Sequence, residues 1–255
     1  MSARPVVLVT GAARRLGRAI ALHLAGHGFD VAVHHRRSPA DAEATVADAH
    51  ARGAAAAAFA ADLADEAACR ALVPAVLARF GRLDAVVHNA ALFEPDRAAD
   101  FSYAAMDRHW RANTAPAVVL AQALHEHLAQ RGAAEPGCVV TLLDQKLWNP
   151  NPDCLSYTLS KAALQCATTL LAQALAPRVR VCAVAPGLTL GSAQIDDARL
   201  HELQAQSLLG YGARPEDIAR AVHYLLGARS STGSTLLVDG GQHLQPRLHD
   251  FGSPP

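Results

Sequence analysis

The stretch Val6-Val7-Leu8-Val9-Thr10-Gly11-Ala12-Ala13-Arg14-Arg15-Leu16-Gly17-Arg18-Ala19-Ile20-Ala21-Leu22-His23-Leu24 decides the fold. Its opening, Val6–Thr10, is a short β-branched, apolar run. Leu16, Ile20 and Leu24 then recur four apart, one stripe of a helix. Two glycines, Gly11 and Gly17, lie at the passage from strand to helix. A glycine turn lets a backbone approach a phosphate closely, and a helix N-terminus offers free N–H groups and a partial positive charge. Two glycines alone also suit an ordinary strand-to-helix turn, so the rest of the chain must discriminate.

Outward from this stretch, short β-rich runs alternate with helical ones. Strands are predicted at Asp30–His35, 54–60, Leu83–His88, Cys138–Leu143, Val179–Ala185 and Thr235–Val238. Between them the spacing predicts helices over 39–52, 65–80, 104–131, 154–176 and 215–227. Strands separated by helices give a parallel sheet covered on both faces. The expected fold is therefore one α/β domain over residues 1–241, a Rossmann-type doubly wound sheet. The irregular segment 187–212 is long for a compact domain and reads as a substrate lid. Residues 242–255 lack periodicity and read as a C-terminal surface arm.

Composition narrows the function. The 255 residues carry 23 basic and 23 acidic side chains, a formal net charge of zero. A general nucleic-acid binder would show a basic excess, so none is expected as partner. The longest apolar runs stop well short of the roughly 18 residues of a membrane span. The N-terminus lacks the pattern of a secretory signal. Five scattered cysteines without a CxxC spacing read as reduced thiols of a cytoplasmic protein. The 13 histidines are dispersed, and His125 and His127 are two apart, wrong for one helix face, so no metal site is expected.

The end of the second strand bears on the cofactor. A site for NAD usually places Asp or Glu there, to accept from the ribose 2′-OH. Here the chain reads His34-His35-Arg36-Arg37-Ser38, with no carboxylate. Arginine forks match a 2′-phosphate, and Arg15 can join them, so NADPH is the expected cofactor. A solvated basic turn is the alternative. Asp62, followed by Leu63, suits the adenine amino group or, equally, a helix N-cap.

Tyr157 and Lys161 stand four apart on the helix predicted over 154–176, hence on one face. A free tyrosine, with a pKa near 10, is a poor acid at neutral pH. A neighbouring ammonium would lower that value toward the working range. Only two lysines occur, Lys146 and Lys161, in a chain otherwise dominated by arginine. A retained lysine points to chemistry beyond charge.

Thr10-Gly11…Gly17, His88-Asn89-Ala90, Asn113, Tyr157-x-x-x-Lys161 and Ala185-Pro186-Gly187 occur in the order and spacing of the short-chain dehydrogenase/reductases, which the chain resembles nearly to Val238-Asp239-Gly240-Gly241. The resemblance implies a cofactor loop of Gly11, Arg14, Arg15, Leu16 and Gly17, with His35, Arg36, Arg37 and Ser38 at the ribose. It implies contacts from Asp62, Leu63 and the Asn89-Ala90-Ala91 turn, and Pro186, Gly187 and Leu188 beside the nicotinamide. Asn113 would hold a water in a proton relay, Lys161 would bind the nicotinamide ribose, and Tyr157 would donate the proton.

Two departures point to one branch. Arg15 replaces the usual mid-loop glycine, and Asp144 replaces the usual serine thirteen residues before Tyr157. An ionised carboxylate cannot donate to a substrate carbonyl, but it accepts from N–H groups such as those of an aminopyrimidine. Arg14-Arg15, the His34–Ser38 run, Asp144 and Phe93 resemble the pteridine reductases and the related dihydromonapterin and alternative dihydrofolate reductases. In that reading Phe93 stacks on the substrate, and Trp148, Leu188, Leu208 and Leu209 complete the pocket; loop packing is the alternative for each. The expectation is an NADPH-dependent reductase of a pterin or dihydrofolate-like small molecule. A carbonyl reductase of the same family, or an idle NADP-binding sensor, are the rivals. Ala112–Leu124 and Ala162–Pro177 contain no charge, which predicts apolar helix faces that join subunits into a homotetramer.

Overall fold

The computed structural model describes residues 4–192 and 195–251. Seven strands carry the molecule: β1 (Val6–Val9), β2 (Asp30–His35), β3 (Ala56–Ala60), β4 (Ala85–His88), β5 (Gly137–Leu142), β6 (Val179–Pro186) and β7 (Thr235–Val238). They form one sheet in the order β3-β2-β1-β4-β5-β6-β7, and every pairing is parallel. The order reverses at β1, where Val9 pairs with Val33 on one side and Val87 on the other. Ligands of such sheets bind in the crevice at the carboxyl ends of the strands that flank this reversal.

Side chains along each strand point alternately to the two faces. Val7, Val9, Val31 and Val33 join the core beneath α1 (Arg15–Gly26), α2 (Pro39–Ala51) and α8 (Pro215–Gly227). Val6, Leu8, Ala32 and Val86 join the core beneath α3 (Glu66–Phe80), α5 (Ala115–Arg131) and α6 (Leu155–Leu175). Burial on both faces explains why the strands read as continuous apolar runs.

Two expectations are corrected. The helix expected over 104–131 is interrupted: α4 (Tyr103–His109) passes through a π-wound turn, Trp110–Thr114, into α5. Pro116 has no N–H to donate to a preceding carbonyl, and the Ala115 N–H reaches back five residues to Trp110. The segment expected to be irregular contains α7 (Asp197–Ala205), capped by the Asp196 side chain accepting from the Arg199 N–H. Of that expected lid, positions 193–194 lie outside the described residues, as do positions 252–255 of the arm. No helix among the described residues is long and apolar enough to cross a membrane.

Candidate active site

The β1–α1 turn closes tightly. A Cβ at Gly17 would meet the Gly11 carbonyl oxygen at 2.2 Å and Asn89 Nδ2 at 2.6 Å, so no larger residue fits. Arg15 sits at φ +54°, in the left-handed region; a non-glycine residue there costs roughly 1 kcal/mol. Its guanidinium reaches across to the Gly191 carbonyl at 2.6 Å, while Arg14 pairs with Asp41 at 2.6 Å.

A groove runs over this turn, lined by Gly11, Arg14, Arg15, Leu16, Gly17, His34, Arg36, Asp62, Leu63, Asn89, Ala90 and Ala91. Backbone N–H groups at a helix N-terminus with arginines beside them suit a phosphate-bearing dinucleotide. Arg37 and Ser38 are not brought into this lining, and His35 is buried. His34, expected in the strand-end run but not among the cofactor contacts, takes part instead. Its Nδ1 accepts from the Gly11 N–H at 3.0 Å, and its Nε2 donates to the Ala61 carbonyl at 3.0 Å. Burial holds its pKa down to about 4, so it is a neutral crosslink. Asp62 accepts from the Ala64 N–H at 3.1 Å; the N-cap of α3 is Asp65.

The groove continues into a pocket lined by Leu16, Asn89, Phe93, Asp144, Lys146, Tyr157, Lys161, Pro186, Gly187 and Leu188, among others. Tyr157 donates to Asp144 Oδ2 at 2.9 Å, and Asp144 Oδ1 accepts from the Lys146 N–H at 2.9 Å. The Phe93 ring stands edge-on to Tyr157, centroids 4.7 Å apart, and is 54% exposed toward the pocket mouth. Lys161 Nζ donates to the Leu142 carbonyl at 2.6 Å and lies 5.7 Å from the Tyr157 ring centroid.

The electrostatics differ from the expected picture. The Tyr157 phenol is pushed well above its ordinary range, first by burial and then by the Asp144 charge. Burial also raises Asp144 and lowers Lys161 to about 8. Lysine therefore does not bring the phenol down here, because the carboxylate is the hydrogen-bonded neighbour and the ammonium is turned to a carbonyl. Burial opposes negative charge on either member of the Tyr157–Asp144 pair, which keeps a proton between them.

Asn113 occupies the π-wound turn and its side chain is fully committed. Oδ1 accepts from the Leu92 N–H at 2.6 Å, and Nδ2 donates to the Leu92 carbonyl and to Ser160 Oγ, both at 2.9 Å. Its main-chain oxygen accepts from His88 Nε2 at 2.9 Å. His88 is fully buried and held down to about 4 by burial. Its Nδ1 faces Thr10 Oγ1 at 3.4 Å, and that oxygen accepts from the Asn89 and Ala90 N–H groups. One neutral imidazole thus ties the phosphate turn to the Asn113 turn.

Several expected substrate residues are placed elsewhere. Trp148 packs with Leu143, Leu147, Leu164 and Leu237, holding its loop to the body. Leu208 lies against Gly241, the Leu209 N–H bonds the Gly240 carbonyl, and neither side chain lines the pocket. Cys154 is buried with a thiol pushed up to about 11 by burial, consistent with a structural role.

The arm is not a loose surface tail. Arg247, Asp250 and Phe251 line the pocket. Lys146, nearly fully buried, donates to the Asp153 carbonyl at 2.6 Å and pairs with Asp250 at 3.0 Å. The Asp250 N–H in turn bonds Asp153 Oδ2 at 3.0 Å, and Arg247 lies 4.2 Å over the Phe251 ring. The signal for this clasp was the scarcity of lysine, which singles out Lys146 without naming its partner.

Residues 11–243 match the family described as enoyl-(acyl carrier protein) reductase. The chain is 37% identical over 253 residues to a Streptomyces violaceoruber protein assigned as a ketoacyl reductase of granaticin polyketide synthesis, covering 94% of this chain and 96% of that one. Among solved structures it is similar to FolM alternative dihydrofolate reductase 1 from Brucella canis complexed with NADP. That pair shows a TM-score of 0.90, 40% identity and 97% coverage of each chain. A Burkholderia cenocepacia short-chain dehydrogenase in complex with NADP gives a TM-score of 0.84 at 33% identity, covering 93% of this chain and 97% of that one.

Proposed function

We propose, from the premise that this chain belongs to the short-chain dehydrogenase/reductase family of oxidoreductases, that it reduces a pterin or dihydrofolate-like heterocycle with NADPH. The observation that carries the reading is Asp144 beside Tyr157 where the family usually has serine, together with the NADP complex of a FolM protein at 40% identity.

Arg14, Arg15 and Arg36 would hold the phosphates of NADPH, Asp62 and Leu63 the adenine, and Lys161 the nicotinamide ribose. Arg37 and Ser38 are proposed at the edge of the 2′-phosphate. When bound, NADPH supplies a hydride. Tyr157 Oη holds the proton destined for the ring nitrogen of the substrate C=N bond. Asp144 keeps that phenol oriented and, as a carboxylate, accepts from the amino group of the heterocycle. Phe93 offers a flat apolar face to the ring. The pair of buried Lys146 with partly exposed Asp250 closes the pocket wall.

Ketoacyl reductases among the relatives favour one rival, reduction of a ketone. Spectrophotometric NADPH oxidation separates the two with dihydrobiopterin, dihydromonapterin, dihydrofolate and ketone substrates. Turnover of a pterin or folate, lowered about tenfold or more in Asp144→Ser with NADPH binding unchanged, is the expected result. Activity on ketones alone transfers the assignment to carbonyl reduction. Binding of NADP without turnover of any substrate would favour the sensor.

We further infer a homotetramer in the cytoplasm; all five cysteines are free thiols, in keeping with a reducing compartment. Val118 on α5 and Leu170 on α6 are exposed within the charge-free stretches Ala112–Leu124 and Ala162–Pro177, and Leu159 on α6 is exposed as well. The neighbouring Leu171 packs against the chain's own core. Leu170→Arg is therefore the variant of choice. In sedimentation it should shift the assembly toward smaller species, and a wild-type monomer at micromolar concentration would overturn the inference.

A further inference from the structure

His23 lies in the last turn of α1, His27 caps that helix, and His223 comes from α8, which packs along it. The three rings gather at one spot. Centroid separations are 4.1 Å for His23–His27, 5.0 Å for His27–His223 and 5.4 Å for His23–His223. One ring nitrogen from each lies within 4.8 Å of the other two. The histidines are dispersed in sequence and His125 and His127 are two apart, but His23 and His27 are four apart, on one helix face. The third member comes from the far end of the chain, and only the fold supplies it.

The hydrogen bonding prepares these rings as ligands. His27 Nδ1 lies 2.7 Å from the His23 carbonyl. A carbonyl only accepts, so Nδ1 carries the hydrogen and Nε2 keeps its lone pair. Metal-bound histidines are commonly oriented in this way, through a backbone carbonyl on the other nitrogen. His23 Nε2 is buried and has no hydrogen-bond partner. Burial, then the neighbours His27, His223 and Arg220, holds His23 down to about 4, and burial also lowers His223. Neutral imidazole is the ligating form. Arg220 and Arg18, two of the cations close to the cluster, are compensated by Asp217 and Asp48.

We propose that His23, His27 and His223 bind one divalent transition-metal ion of the zinc or copper class and so staple the end of α1 to α8. All-imidazole sets suit these ions and not magnesium or calcium. Zinc–nitrogen bonds of about 2.0–2.1 Å place tetrahedral ligand atoms about 3.4 Å apart, and the three ring nitrogens already lie within 4.8 Å of one another. His27 is exposed, which leaves water, or Glu216 in the adjoining groove, for the remaining position. The role is structural: the ion fastens the helix whose N-terminus carries the phosphate turn.

The test uses the full chain without a histidine tag, stripped with chelator and titrated with zinc chloride by calorimetry and equilibrium dialysis. One ion per chain with a Kd of about 10 µM or tighter is expected, with a rise in Tm. His27→Gln and His223→Gln should each weaken binding about tenfold or more and abolish the Tm rise, while NADPH binding is unchanged. His125→Gln and Cys166→Ser should leave zinc binding intact. Absence of binding below about 100 µM, or binding that survives both His27→Gln and His223→Gln, overturns the proposal.

Discussion

The phosphate turn and the substrate wall are built on different principles. Around the turn, most of the fastening hydrogen bonds have a backbone N–H or C=O group on at least one side. Thr10 Oγ1 accepts from Asn89 and Ala90, Asn89 Nδ2 donates to the Thr10 carbonyl, and His34 crosslinks Gly11 to Ala61. On the opposite side, the wall is held by side chains from distant parts of the chain: Lys146 paired with Asp250, Arg97 paired with Asp153, and the neutral Gln242 amide, whose Oε1 accepts from the Leu188 N–H. The pyrophosphate of a dinucleotide can be cradled by backbone N–H groups, so its site can be made from backbone geometry. A substrate differs between relatives, and its wall is made from side chains that can change without disturbing the sheet.

This contrast can be broken at its sharpest point, the Tyr157 hydroxyl, which lies in the pocket that continues from the groove over the turn. Tyr157→Phe removes the proton donor and should cost about 10²- to 10⁴-fold in turnover. NADPH affinity, followed by fluorescence, should stay within about twofold of wild type. Full activity in that variant would remove the mechanism.

A smaller effect should separate the two sides from each other. Arg36→Asp and Arg37→Asp place a carboxylate where the 2′-phosphate is proposed to sit. The wild-type preference for NADPH over NADH, at least about tenfold or roughly 1.4 kcal/mol, should shrink or reverse, more so in Arg36→Asp because Arg36 lines the groove. The substrate KM should not move. Equal use of both cofactors by the wild type would contradict the reading.

Smallest is the clasp. Asp250→Asn weakens the ion pair to Lys146 at a partly exposed carboxylate, a loss of about 1 kcal/mol. The expected result is a severalfold rise in the KM for the heterocycle with unchanged NADPH binding. Equal losses for substrate and cofactor would show that the arm supports the whole domain rather than the wall.

The sequence by itself determined the parallel sheet, the phosphate turn and the Tyr157, Lys161 and Asp144 set. These are local: strand runs buried on both faces, a helix stripe at four-residue spacing, and residues that share a helix face or flank one strand end. Tertiary structure decided the rest. It turned Lys161 to the Leu142 carbonyl and gave Tyr157 to Asp144, which reversed the expected direction of the phenol pKa. It sent Trp148 into a core and Leu208 and Leu209 away from the pocket. It wound the Asn113 turn around the His88 ring, brought Asp250 to Lys146, and set His223 beside His23 and His27. Each of these depends on which distant atoms satisfy a buried polar group, and that choice exists only once the sheet has brought remote segments together.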